Sequence, residues 1–157
     1  MAIRAVVLDI DGVLTDGTFW WGPNDEELKR FSFADVMGIA RAQRAGVFFA
    51  LVSGEAGAVA ERLARKLAVT DLFLNCKDKL AAVNRFASEK GIDPSEVCFM
   101  GNDINDLSAM AAVGLGAAPV DAERAVRARA GFISVRPAGH GAVRDLIENL
   151  FPEVFKP

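Results

Sequence analysis

The sequence predicts an α/β domain: a doubly wound, Rossmann-like parallel sheet with helices on both faces. Three observations lead there. Residues 5–8, 47–52 and 97–100 are unbroken apolar runs, the pattern of strands buried on both faces of a parallel sheet. The segments between such runs carry helical spacing and end at glycines such as Gly46 and Gly91. Polar residues gather just after the apolar runs, at the carboxyl ends of the strands, where sheets of this kind bind their ligands.

Taken in order, the first run ends in Asp9-Ile10-Asp11-Gly12-Val13-Leu14-Thr15-Asp16-Gly17, a strand running into a turn. Residues 18–33 place aromatics either side of Gly22-Pro23-Asn24-Asp25, which reads as a β-hairpin. Its aromatics exceed what a two-stranded ribbon can bury, so they pack either on the same subunit or on a neighbour. A helix over 35–44 follows, then the strand 47–52 running into Ser53-Gly54-Glu55. A helix over 56–68 and a short strand over 69–74 come next. Lys77-Asp78-Lys79 precedes a helix over 80–90, and the strand 97–100 leads to Gly101-Asn102-Asp103-Ile104-Asn105-Asp106. Helices over 107–112 and 121–129 alternate with strands over 113–118 and 132–135. Gly139-His140-Gly141 opens a last helix, 142–150, and a short tail ends the chain.

At 157 residues the chain makes one domain, 1–157, with a sizeable core. A net charge of −3 gives no electrostatic reason for nucleic acid or a membrane surface as partner, and no apolar run is long enough to cross a bilayer. Cys76 and Cys98 lie far apart, and Cys98 sits inside an apolar run as a core thiol, which fits a reducing cytoplasm. The first strand begins at residue 5 and leaves no room for a signal peptide, so a cytoplasmic location is expected. A single histidine, His140, argues against a histidine triad or a multi-histidine metal centre.

If the strands are parallel, Asp9 and Asp11, Ser53, Lys79, and Asn102, Asp103 and Asp106 meet on one rim. That set suits phosphoryl transfer. One carboxylate can attack phosphorus and a second can serve as acid, then base. Clustered acids facing a phosphate need a hard cation, for which Mg²⁺ is suited. A hydroxyl and a lysine can hold the phosphoryl oxygens. Simpler roles exist for each residue. The two aspartates can be solvated turn residues, Ser53 a turn serine, Lys79 an exposed first-turn lysine, Asp106 a cap for the following helix, and His140 a plain loop residue.

Leu8-Asp9-Ile10-Asp11-Gly12-Val13-Leu14-Thr15-Asp16-Gly17, with Val52-Ser53-Gly54, Lys79 and the 101–106 stretch, resembles the haloacid dehalogenase-like phosphohydrolases. Within them the chain looks most like the capless group typified by KDO 8-phosphate phosphatases. Glu26-Glu27-Leu28-Lys29 and Gly139-His140-Gly141-Ala142-Val143-Arg144-Asp145 echo the same group. The resemblance implies a core with a hairpin flap and no cap domain. It implies that Asp9 is the nucleophile and a metal ligand, and that Asp11 is the acid/base and binds metal through its backbone carbonyl. Ser53 would bind the phosphoryl group, and Lys79 would hold it and Asp9 in place. Asn102 or Asp103 would complete an Mg²⁺ site, supported by Asp106. Gly12, Gly54, Asp35 and His140 are the expected substrate contacts. The group's habit implies a homotetramer in which one subunit's hairpin and another's C-terminal tail close a neighbouring site.

Four positions depart from the octulosonate pattern. Asn102 replaces an aspartate, Glu55 an arginine, Ala34-Asp35-Val36 an Arg-Asp-Gly, and Gly139-His140-Gly141 a Gly-Arg-Gly. An anionic sugar acid loses basic partners by these changes. The function expected is therefore an Mg²⁺-dependent phosphatase for a small phosphorylated sugar or sugar acid like KDO 8-phosphate. The alternatives are a phosphatase for a nine-carbon ulosonate 9-phosphate and a non-catalytic relative that binds a partner.

Overall fold

The computed structural model describes residues 2–156. The chain runs β1 (Ala5–Asp9), the hairpin strands β2 (Trp20–Trp21) and β3 (Glu27–Leu28), α1 (Phe33–Arg44), β4 (Phe48–Val52) and α2 (Ala58–Leu67). It continues through β5 (Asp71–Phe73), α3 (Lys79–Lys90), β6 (Val97–Met100), α4 (Leu107–Ala111), β7 (Leu115–Ala118), α5 (Arg124–Arg127), β8 (Phe132–Ile133) and α6 (Ala142–Leu150).

Every residue of β1 is buried, and the strand pairs in parallel with β4 on one edge and β6 on the other. The parallel sheet has the order β5-β4-β1-β6-β7-β8. The chain therefore winds outward from β1 in both directions, which makes the carboxyl end of β1 the crevice where the strand order reverses. Pleating sends alternate side chains of β1 to opposite faces. Val6 and Leu8 join a core with α1, α2 and α6, while Ala5 and Val7 join another with α3, α4 and α5. Burying each of Val6, Val7 and Leu8 contributes about 1.5–3 kcal/mol, so this strand is covered on both sides at substantial gain.

The expected elements are all present, several of them shorter. The third strand is Asp71–Phe73, the last is Phe132–Ile133, and the helix expected over 121–129 is Arg124–Arg127. At the end of the chain Pro152–Phe155 forms a turn of helix. The Arg144 guanidinium lies 4.1 Å over the Phe155 ring, and Arg41 donates to the Val154 carbonyl. Among the described residues no helix is long and apolar enough to cross a membrane.

The hairpin leaves the sheet between β1 and α1. Its aromatics Phe19, Trp20, Trp21, Phe31 and Phe33, and with them Leu28, stay largely exposed on their own subunit, Trp21 to 73%. Helix α1 starts where the Ser32 hydroxyl accepts the Ala34 backbone N–H.

Asp35, in the first turn of α1, is buried, and its Oδ1 accepts the Arg144 backbone N–H at 2.8 Å, at the start of α6. Its Oδ2 is buried without a hydrogen-bond partner among the described residues. Burial, opposed by these backbone donors, pushes the Asp35 carboxyl up to about 6 from 3.8. The folded chain therefore holds this proton more tightly than the unfolded chain. The contribution to stability is complete below pH 3.8 and is lost as pH rises through about 6. Asp35→Asn, which cannot ionise, should remove that loss. In urea titrations from pH 4 to 7, wild type should weaken relative to the variant by roughly 1–3 kcal/mol between pH 4 and 6.5, with a constant difference above. A constant difference across the whole range would refute the assignment.

Candidate active site

Sheet register brings the site together. Asp9 is the last residue of β1 and lies opposite Val52, so Ser53 follows directly beside it. Leu8 lies opposite Met100, so the loop that begins at Gly101 starts at the same level. Lys79 opens α3, whose first turn Asp78 caps by accepting the Ala81 backbone N–H.

These positions converge on a buried ion chain. Lys79 Nζ lies 3.0 Å from Asp9 Oδ1 and 2.6 Å from Asp106 Oδ1. Burial works against the Lys79 ammonium, but Asp9 and Asp106 overcome it and hold its pKa above the ordinary value. Burial and the neighbouring Asp106 push the Asp9 carboxyl up to about 7, against the pull of Lys79. Asp106 also organises its own loop, because its Oδ2 accepts the backbone N–H groups of Asn102 at 2.9 Å and Asp103 at 3.2 Å. A methyl at Gly101 would lie 2.5 Å from Asp106 Cβ, so only glycine lets the loop close this tightly. The side chain does not cap α4, the simpler role open to it in the sequence.

The turn after β1 is equally specific. Gly12 sits at φ +81°, in the left-handed region that favours glycine. The buried Thr15 Oγ1 accepts the backbone N–H groups of Gly12 and Gly17, both at 3.2 Å. Ser53 is buried, and its Oγ accepts the Glu55 backbone N–H at 3.2 Å. Lys77 donates to the Gly54 carbonyl at 3.0 Å and steadies that loop.

Asp9, Asp11, Ser53, Gly54, Lys79, Asn102 and Asp103 line one cavity of about 370 Å³. Three expected contacts, Asp35, His140 and Gly12, fall outside its lining. Asp35 is buried at the α1–α6 junction. His140 is exposed and donates from Nδ1 to the Ala138 carbonyl at 2.9 Å. Both belong to the clamp that holds the Gly139–Gly141 loop, where Gly139 donates to the Val13 carbonyl at 3.2 Å. Gly12 also stands outside the lining, and its role is spatial. A methyl there would lie 2.1 Å from the Asn102 amide.

The donor set for a cation is oxygen-based and mixed. Among the described residues no three His, Cys, Asp or Glu side chains form a metal-binding cluster. Instead the end of the Asn102 amide lies 3.0 Å from Asp9 Oδ2 and 3.1 Å from the Asp11 backbone carbonyl. Turned one way, its NH₂ donates to both. Turned the other, three oxygens meet, and only a cation reconciles them. A carboxylate, a carbonyl and an amide oxygen fit a hard ion that keeps several waters, as Mg²⁺ does. Asp103 is differently engaged, its Oδ1 accepting the Ile104 backbone N–H at 2.6 Å.

Sequence reasoning missed two cavity contributors from the hairpin. Phe19 and Lys29 line the cavity of their own chain. Lys29 Nζ lies 2.9 Å from Asp11 Oδ1 and 3.2 Å from Glu27 Oε1. The one signal in the sequence was spacing, since Glu27 and Lys29 stand two apart on one face of a strand.

The profile of the haloacid dehalogenase-like hydrolases matches residues 75–146. The chain is 34% identical over 148 residues to the 3-deoxy-D-manno-octulosonate 8-phosphate phosphatase of Escherichia coli strain K12, covering 94% of this chain and 79% of that one. It superposes with a TM-score of 0.92, at 28% identity, on the corresponding phosphatase of Moraxella catarrhalis, solved with magnesium ion, phosphate ion and KDO. That match covers 96% of this chain and 86% of the other. The cobalt-bound enzyme of Haemophilus influenzae gives a TM-score of 0.94 at 29% identity, over 99% and 94% of the two chains. With the polar rim at the end of β1, these likenesses make the chain a phosphoric monoester hydrolase that belongs to the haloacid dehalogenase-like family, in its capless, KDO 8-phosphate phosphatase-like branch.

Proposed function

We propose that this protein is an Mg²⁺-dependent phosphatase for a small phosphorylated sugar acid, acting through an aspartyl-phosphate on Asp9. The observation that carries the proposal is the division of labour at Asp9: Oδ1 meets Lys79, while Oδ2 faces the Asn102 amide, which also lies against the Asp11 carbonyl, in a polar cavity. Asp9 Oδ2, the Asp11 carbonyl and the Asn102 amide oxygen would hold the ion. Bound Mg²⁺ would offset the negative charge of the phosphate beside Asp9.

The chain's own residues supply the rest. Asp9 attacks phosphorus, and Lys79 holds the carboxylate and a phosphoryl oxygen in line. Ser53 accepts from the Glu55 backbone, which leaves its own proton to donate to the phosphoryl group. Asp11, at the cavity wall, protonates the departing alkoxide. It then takes a proton from the water that displaces Asp9 from phosphorus. Cys76 and Cys98 are free thiols, as suits work in the cytoplasm.

The named substrate of the relatives supports a phosphorylated sugar acid. Glu55 lines the cavity, and its carboxylate would repel a second carboxylate held nearby. That favours, as the second reading, a nine-carbon ulosonate 9-phosphate, whose acid group lies farther from the phosphate. The exposed hairpin aromatics support the homotetramer, since apolar side chains in such number are unfavourable in water.

Phosphate release should be followed over a panel of phosphorylated sugars and ulosonates, with Mg²⁺ and with chelator. Turnover should vanish with chelator, and Asp9→Asn should lower kcat by roughly 10³-fold or more. Retained turnover in that variant removes Asp9 as nucleophile. Asn102→Asp adds a charge to the ligand set and should tighten Mg²⁺ binding about tenfold by titration calorimetry. An unchanged Kd excludes Asn102 from the metal. In sedimentation velocity the protein should run as a tetramer, and Trp20→Ser with Trp21→Ser should give smaller species. A wild-type monomer ends the assembly reading.

A further inference from the structure

We propose that Lys29 is a positioning residue for Asp11: the hairpin supplies the ammonium that fixes the Asp11 carboxylate at the cavity wall, so the chemistry depends on where the hairpin sits. This rests on the reading of Asp11 as acid/base. Asp11 lies in a turn and its side chain is 38% exposed, so nothing in its packing fixes the carboxylate. An acid that must reach a leaving group has to be held to within a fraction of an ångström. Among the described residues, Lys29 is the group that bonds this carboxylate, at 2.9 Å.

Lys29 is not a solvated surface lysine. Its side chain is only 10% exposed, and Glu27 takes its ammonium from the other side at 3.2 Å. Two carboxylates thus hold one cation in place, against the rotamer entropy a lysine gives up when fixed. The anchoring element is itself tied to the catalytic turn. Lys29 follows β3, which pairs with β2, and Phe31 bridges to Thr15, the residue that braces the Gly12 turn. The two lysines of the cavity are therefore assigned separately. Lys79 serves Asp9 through the α3 terminus, and Lys29 serves Asp11 through the hairpin.

A direct role on the substrate would look different. A lysine reserved for phosphate or a sugar carboxylate would point its ammonium into open cavity. Lys29 spends it on Asp11 and Glu27.

The test is a double-mutant cycle on Lys29→Met, Asp11→Asn and the pair, with Lys29→Arg as the conservative variant, measured as phosphate release at saturating Mg²⁺. Lys29→Met should lower kcat about 10- to 100-fold, a part of what acid–base catalysis is worth, with KM within twofold. Lys29→Arg should recover most of that loss. In the Asp11→Asn background, Lys29→Met should cost nothing further, because the group it positions is gone. The cycle is repeated with Lys29→Gln, whose polar end suits the half-enclosed position should the methionine variant not fold. Trp20 and Trp21 emission reports whether the hairpin stays in place. A rise in KM with kcat intact, a full further loss in the Asp11→Asn background, or wild-type kcat in both Lys29 variants overturns the proposal. Wild-type turnover by Asp11→Asn alone overturns the acid/base reading beneath it, which keeps the two failures distinct.

Discussion

One ammonium held between two carboxylates organises this molecule. Lys79 lies almost wholly out of water, 3.0 Å from Asp9 and 2.6 Å from Asp106. A buried charge pair is poor evidence for stability, since desolvation can exceed the Coulombic gain. Its value here is positional. Lys79 comes from the start of α3, Asp9 from the end of β1 and Asp106 from the loop after β6. Linking them fixes three separate elements to one point. Asp106 extends the linkage by gathering the Asn102 and Asp103 backbone N–H groups, which aims the Asn102 amide at Asp9 and Asp11.

The sheet makes that linkage possible. Because β1 is buried on both faces and flanked by β4 and β6, its end is rigid, and its neighbours end at the same level. The two cores on opposite faces are formed by different helices, so the floor of the site is braced from both sides. Rigid strand ends hold Asp9 and Ser53, whereas a turn and a hairpin hold Asp11. In the proposed mechanism the attacking Asp9 sits on the stiffest part of the fold, and Asp11, proposed to handle protons, on a more exposed one.

The hairpin joins site and surface. Its inward side contributes Phe19 and Lys29 to the cavity, and its outward side exposes tryptophans. The tail lies against Arg144 and Arg41 of its own chain.

What the sequence determined by itself was whatever depends on local pattern. Apolar runs such as Val97-Cys98-Phe99-Met100 had to be buried strands, and glycines at residues 12 and 101 marked places where backbone must turn or approach closely. Given parallel strands, Asp9, Ser53, Lys79 and Asn102 had to share a rim, and the family resemblance added roles. Tertiary structure alone decided which polar groups meet. Asp35 stands in a stretch that resembles a substrate contact, yet packing of α1 on α6 buries it against the Arg144 backbone. His140 is turned toward the Ala138 carbonyl. Lys29, unremarkable as a letter in a hairpin, reaches Asp11 because the ribbon folds back over the end of β1. Such pairings span many residues along the chain and depend on distances of a few ångströms, and no local periodicity encodes those.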